Sequence, residues 1–287
     1  MRSRWDEVEL GFDEAADRII QAHEADANGA AQDLPIGDLK TWAIAPTRDG
    51  AAFALVPLAR HHEPKALRST AFSHLMGRIG APADFLRRLP APLQLATTNW
   101  LLAEHDDSSS ATLRLRGDEV AAVVSGRYAP LDPEELLDCV RTSLVRFGLL
   151  DDVRVRGVAS GIVDNMRLIL PNEEVAVKVG DTSNVGLDIS TSSFGRSAIH
   201  VSPMVWRLVC TNGLRSPERR GQLSFRHVGD ADRLRAAIGE AIPSALAHAR
   251  GLMTQWQRAV DFMVNDVHEL IDGMRELSIS EKKSFEE

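Results

Sequence analysis

Apolar residues recur along this chain with two periods, and the switches between them mark its elements. Phe12, Ala15, Ala16, Ile19, Ile20 and His23 fall three and four apart, which predicts a helix over 12–24. The Ala/Gly/Asp-rich run 25–33 then reads as a turn or flexible link, so that helix is expected to attach loosely. Trp42–Ile44 and Ala52–Leu58 read as short strands, with Asp49-Gly50 as the turn between them. From Ser69, a candidate cap, Phe72, Leu75, Met76 and Ile79 form a helical stripe that stops at Gly80. Further helices are predicted over Ala83–Leu89, between Pro82 and Pro90, and from Pro92 to Ala103.

The acidic, serine-rich run Glu104–Ser110 reads as an internal boundary or a plain loop. Beyond it Thr112–Arg116 and Val120–Ser125 alternate as strands, and Asp132-Pro133-Glu134-Glu135 opens a helix to Phe147 that buries Leu137, Val140, Leu144 and Phe147. Strands follow at Val153–Ala159, Asn165–Leu170, Val175–Val179 and Val185–Ser190, with Glu173 and Glu174 capping a turn between two of them. Connections this short exclude crossover helices, so an antiparallel arrangement is expected. A helix is predicted through Met204–Val209, then a basic segment to Arg226. A long helix follows from Asp232 to about Met274, interrupted or kinked at Pro243. The expected fold class is α+β: an antiparallel β-meander flanked by helices, with a long C-terminal helix. It divides into an N-terminal helix and link (1–33), a core (34–230) and a helical region (231–287).

Composition adds three constraints. At 287 residues, 44% hydrophobic and 26% charged, the chain has the make-up of an ordinary globular protein able to bury a substantial core. Cys139 and Cys210 stand alone in apolar contexts and read as reduced core thiols. The opening MRSRWDEVEL has no apolar run behind its arginines, and no stretch approaches the roughly 20 apolar residues that span a bilayer. A cytoplasmic protein with no membrane partner is the expectation. The formal net charge of -8 argues against a surface basic all over, so any polyanion site must be a local patch.

Strand alternation supplies one such patch. Leu113/Leu115 oppose Arg114/Arg116, Val153/Val155 oppose Arg154/Arg156, Met166/Leu168/Leu170 oppose Arg167, and Val175/Val177/Val179 oppose Lys178. If these strands share one sheet, its far face carries a basic row. The alternative is a solvated face whose cations pair with Asp152, Asp164 and Asp188. A second basic group, Arg215, Arg219, Arg220, Arg226 and His227, follows the turn Thr211-Asn212-Gly213 and suits phosphate contacts or a plain surface loop. In the C-terminal helix Ala249, Met253, Trp256, Val260, Met263, Val267, Leu270 and Met274 alternate steps of four and three, a seam for self-association or for packing within the chain.

Catalytic signatures are sparse. His61, His62 and Glu63 lack the further ligands of a metal site, and Pro64 breaks the strand that an acid-x-lysine reading of Glu63-Pro64-Lys65 needs. The sequence has no phosphate loop, dinucleotide fingerprint or nucleophile elbow. No catalytic residue, metal or cofactor is therefore assigned.

Several phrases carry a family resemblance: Ser69-Thr-Ala-Phe-Ser-His-Leu75 with Gly80-Ala-Pro-Ala-Asp-Phe-Leu86, Val124-Ser-Gly-Arg-Tyr-Ala-Pro-Leu-Asp132, Thr191-Ser-Ser-Phe-Gly-Arg-Ser197 and Arg207-Leu-Val-Cys-Thr-Asn-Gly213. Over roughly 65–230 they resemble the phage/plasmid-like domain-of-unknown-function family numbered 932, with most of the long C-terminal helix outside the match. The resemblance implies a mobile-element setting. The order helix, meander, helix is similar at the level of fold to single-strand annealing recombinases of the phage Red-beta type. This similarity implies a non-enzymatic protein that captures single-stranded DNA for recombination or annealing, as a homo-oligomer and without a cofactor. Its phosphate contacts are expected from Arg154, Arg156, Arg167, Lys178, Arg196, Arg219, Arg220 and Arg226. Any base stacking would come from Tyr128, Phe194, Trp206 or Phe225. A protein-interaction module remains open, as does a metal-dependent nuclease using Asp164, Glu173, Asp188 or the histidines.

Overall fold

The computed structural model describes residues 10–27, 32–50, 52–59, 63–105, 110–161, 163–178, 181–207, 214–217 and 221–260. Within them the strands form two six-stranded sheets. The first takes β1 (Gln32–Ile36), β2 (Trp42–Pro46), β3 (Phe53–Pro57) and β4 (Lys65–Leu67) from before three helices, and β5 (Ala111–Arg116) and β6 (Glu119–Ser125) from after them. Its order is β1-β5-β6-β4-β3-β2, antiparallel except for the β4–β6 pair. The helices are α2 (Ser69–Arg78), α3 (Ala83–Leu86) and α4 (Ala91–Glu104), and their apolar stripes close a core around Leu55, Leu75, Met76, Leu102 and Leu113.

Strand β6 is buried from Val120 to Val124, because one face meets this core while the other meets a small cluster of Ala121, Ala122, Val124 and Phe194. A strand covered on both faces needs a near-continuous apolar run, and Val-Ala-Ala-Val-Val is one.

The second sheet is an antiparallel meander as expected, but Asn165–Leu170 and the strand read from Val175 are parts of one strand, and further strands follow Ser190. Strands β7 (Arg154–Ala159), β8 (Asp164–Lys178), β9 (Asp181–Thr191) and β10 (Ile199–Arg207) pair in succession, and the outer edge of β10 is shared by β11 (Leu214–Pro217) and β12 (Leu223–Phe225). Pro203, which has no N–H to give, falls in the interval between those two partners. Val155, Leu168, Leu187, Val201 and Val205 face helices α1 (Phe12–Ala27), α5 (Pro133–Arg146) and α6 (Ala231–Val260) across the larger core. Helix α5 starts with a capping box in which the Glu135 carboxylate accepts from the Asp132 N–H at 3.3 Å. Among the described residues no helix is long and apolar enough to cross a membrane.

Several sequence expectations are corrected here. Helix α1 is docked rather than loose: Phe12, Ala15, Ala16 and Ile19 are buried, and Asp26 accepts from Arg68, the residue after β4, at 2.8 Å. The segment read as a link contains the start of β1. Arg68, not Ser69, is the N-cap of α2. The strands around Thr112 and Val120 join the first sheet, not the meander, so no single basic face includes Arg114 and Arg116. Glu173 and Glu174 lie within the unbroken β8, where a register shift absorbs them, and Glu173 accepts from Arg250 of α6 at 2.7 Å.

Met204–Arg207 is strand, not helix. Its Met-Val-Trp run is buried on alternating faces, Val205 in the larger core and Met204 and Trp206 beside Ile169, which hides the period of two. Phe147, expected in the core, is 44% exposed at the end of α5. Helix α6 runs through Pro243 uninterrupted.

Candidate functional site

Helix α2 places one face in the first core through Ala71, Phe72, Leu75 and Met76. The same periodicity turns Thr70, Ser73, His74 and Gly77 to the other side, at helical steps of three, one and three. That polar face forms one wall of a cleft of about 590 Å³. Opposite it stand Val123–Ser125 of β6, Tyr128, the turn Gly195–Ala198 after β9, and Arg226–Val228 after β12. A second cleft of about 550 Å³ is lined by Ser69, Thr70, Ser73, Pro82, Ala83, Asp84, Arg87 and Arg196. Ser73 and Arg196 line both, so the two clefts adjoin at these residues and together make up the groove.

The groove is basic. Arg78, Arg87, Arg196 and Arg226 line it, against the single carboxylate of Asp84. Arg87 is held in place: its guanidinium donates to Asp84 at 2.9 Å and to the Ser69 carbonyl at 2.7 Å, above the Phe72 ring. Arg196 is presented by a built turn. The Ser192 carbonyl accepts from the Gly195 N–H, and the Ser192 hydroxyl accepts from the Arg196 N–H. Gly195 has φ +67°, and a Cβ there would stand 3.2 Å from Val124 Cγ1, so both backbone and space favour glycine. Burial, and then Arg196, push the His74 imidazole down to about 4. Burial, with Arg114 adding to it, does the same to His227.

Beneath the groove lies an ionic bolt between the sheets. Arg114 of β5 has 1% of its side chain exposed and donates from Nε to Asp33 of β1 at 3.0 Å. Its Nη2 donates to both oxygens of Asp132, the α5 cap, at 2.8 and 3.0 Å, and its Nη1 to the Ser193 carbonyl of the turn after β9. Arg116 donates to His23 Nε2 of α1 at 2.6 Å and packs over Phe194. Burial, and next Arg116, lower the pKa of His23, consistent with a neutral ring that accepts. The bolt thus fixes the turn that carries Arg196.

The comparisons with known proteins bear on these same segments. The family model described as Domain of unknown function (DUF932) matches residues 120–283. This chain is a member of the DUF932 family. No curated protein and no solved structure matches it. The matched span takes in α6, which the resemblance had left mostly outside, and leaves out the phrases at Ser69–Leu75 and Gly80–Leu86. Two of the phrases that suggested DUF932, Val124–Asp132 and Thr191–Ser197, meet at the groove and the bolt.

The candidate residues of this DUF932 chain divide three ways. Arg196 and Arg226 come together in the groove, exposed, with Tyr128. Arg154, Arg156 and Arg167 do not line it. Arg154 donates to the carbonyls of Asp151 and Val153, Arg156 sits half-buried at a β7 bulge, and Arg167 pairs with Asp188 at 3.2 Å. Their sheet face also buries Ile169, Met204 and Trp206, so it is not a plain basic row. Lys178 ends β8 and its side chain, like Arg219 and Arg220, lies outside the described residues.

No free stacking platform emerges from the aromatic candidates. Tyr128 stacks on His227 at 5.1 Å with Arg114 over its ring, Phe194 and Trp206 are buried, and Phe225 packs on the larger core. In the C-terminal seam Ala249 and Met253 are buried in the chain's own core and Trp256 packs on it; the Val260 side chain, Met263, Val267, Leu270 and Met274 lie outside the described residues.

The carboxylates weighed for a nuclease are separated: Asp188 is on Arg167, Glu173 on Arg250, and Asp164 accepts from Ser160 and Gly161. Among the described residues no group of three His, Cys, Asp or Glu is placed to hold a metal. Sequence reasoning missed Arg78, Arg87, Ser73 and His74. The polar face of the Ser69 helix was the available signal for Ser73 and His74, whereas Arg87 caps the next helix.

Proposed function

We propose that this protein binds single-stranded nucleic acid along the arginine-lined groove, without catalysing a reaction. The observation that carries this reading is the charge balance: four arginines and one carboxylate on a chain of net charge -8. Backbone phosphates sit on Arg78, Arg87, Arg196 and Arg226, with the Ser69 and Thr70 hydroxyls as further donors, the Ser73 hydroxyl being given to the Ser69 carbonyl. Because Tyr128, the aromatic ring that lines the groove, is stacked on His227, contact is made to the backbone and the bases face outward. Exposed bases suit pairing, as in the annealing role on a mobile element that the resemblance implies.

The test is binding of a fluorescent oligo-dT strand across a salt series by the full chain, by Arg196→Ala/Arg226→Ala and by Arg154→Ala/Arg156→Ala. Each phosphate contact contributes about 0.7 to the slope of log affinity against log salt, so loss of two contacts flattens it by about 1.4. The groove pair is expected to show that flattening and the sheet pair to keep the wild-type slope. A sheet pair that flattens instead moves the interface to the meander. If the wild type does not bind at low salt, nucleic acid is abandoned as the ligand.

A further inference from the structure

His74 stands in the groove wall on the polar face of α2, between Ser73 and Arg78. Its Nδ1 is buried and has no hydrogen-bond partner. That nitrogen is closed off from the cleft, so a ligand can meet the ring only at Nε2. The charged and titratable groups that line the cleft with it are Arg78 from α2 itself, Arg196 from the turn after β9, Arg226 and His227 from the segment after β12, and Tyr128, and Arg196 is the charge that acts on the ring. No carboxylate is among the residues lining this cleft.

We propose that His74 is a proton-linked ligand contact of the groove, so that capture of a phosphate backbone draws a proton onto its ring. The inference rests on the nucleic-acid reading above. In the empty groove the imidazolium is opposed by burial and by Arg196, which hold the ring neutral at pH 7 with a pKa of about 4. A phosphate on Arg196 reverses both effects, because it offsets the nearby positive charge and offers an acceptor to a ring N–H. The pKa of the bound form therefore moves back toward the ordinary value of about 6.5. A group whose pKa is raised by binding strengthens binding as pH falls through the bound pKa. Full recovery makes the complex about tenfold tighter at about pH 5.5 than at about pH 7.5.

The experiment measures affinity of the full chain for the fluorescent oligo-dT strand at those two pH values and fixed salt. Proton uptake is read by titration calorimetry in two buffers of different ionisation enthalpy. His74→Gln, whose side chain cannot charge, is compared through its ratio of affinities at the two pH values. Expected are proton uptake near pH 5.5 by the wild type and a wild-type ratio several-fold above that of the variant. Binding with no proton uptake, or with equal ratios, overturns this inference and leaves the nucleic-acid reading standing. Absence of wild-type binding at both pH values overturns both. Ring-nitrogen NMR of His74 in the wild-type complex reads its pKa directly, and a value still near 4 overturns the inference even if the variant fails to fold.

Discussion

Replacing Arg114 with methionine tests the bolt between the sheets. Methionine keeps much of the apolar stem but removes the charge and every donor. Lost are the pair of bonds to Asp132, the bond to Asp33 and the bond to the Ser193 carbonyl. Breaking a buried ion pair by deleting one member typically costs about 3–5 kcal/mol. Asp33 and Asp132 retain 31% and 27% side-chain exposure and Asp132 keeps Arg116 at 3.6 Å, so the lower figure applies. About 3 kcal/mol in a chain of this size lowers Tm by about 6–12 °C.

Urea unfolding with the m-value monitored measures this loss, alongside Asp132→Asn and the double variant. Asparagine caps α5 nearly as well as aspartate, so the single variant removes the ion pairs to Arg114 and, at 3.6 Å, to Arg116 while keeping the cap. The two changes are expected to be sub-additive by 1 kcal/mol or more, on the order found for residues in direct contact. An Arg114→Met loss below about 1 kcal/mol, or strict additivity, refutes the bolt.

Two further outcomes concern stability. Burial raises the Asp164 carboxyl to about 6 against the bonds from Gly161 and Ser160, so the folded state holds its proton more tightly than the unfolded state with its ordinary 3.8. Ionising it in the fold therefore costs stability, a cost that grows from about pH 4 to about pH 6 and is constant above, at about 3 kcal/mol. Asp164→Asn is expected to raise Tm at pH 7 and to match the wild type near pH 4; a difference independent of pH contradicts this account. At the start of α6 the Asp230 carboxylate accepts from the Arg233 N–H at 2.8 Å. Asp230→Ala should cost about 1 kcal/mol in urea unfolding, and an unchanged midpoint removes the cap from the account.

The chain's own periodicities determined its fold class and most of its elements. Alternating strands from Val153 to Ser190 on short connections admit only an antiparallel meander, and the Asp132-Pro133-Glu134-Glu135 start of α5 carries its capping chemistry locally. The polar face of α2 was equally legible in the spacing of Thr70, Ser73, His74 and Gly77.

What only the tertiary structure decided is which sheet each strand joins, and therefore where each arginine points. Arg114 and Arg167 have the same local pattern, one cation opposite apolar neighbours on a strand. Strand pairing sets Arg114 in the seam between two sheets, on Asp132 and Asp33, and sets Arg167 across from Asp188. Arg78 and Arg87 are close in sequence but distant from Arg196 and Arg226, and the four line one groove because α2, α3, the turn after β9 and the segment after β12 converge there. Local periodicity reports which side of an element is apolar. The neighbour on the other side is set by contacts between distant segments, and those exist only once the chain has folded.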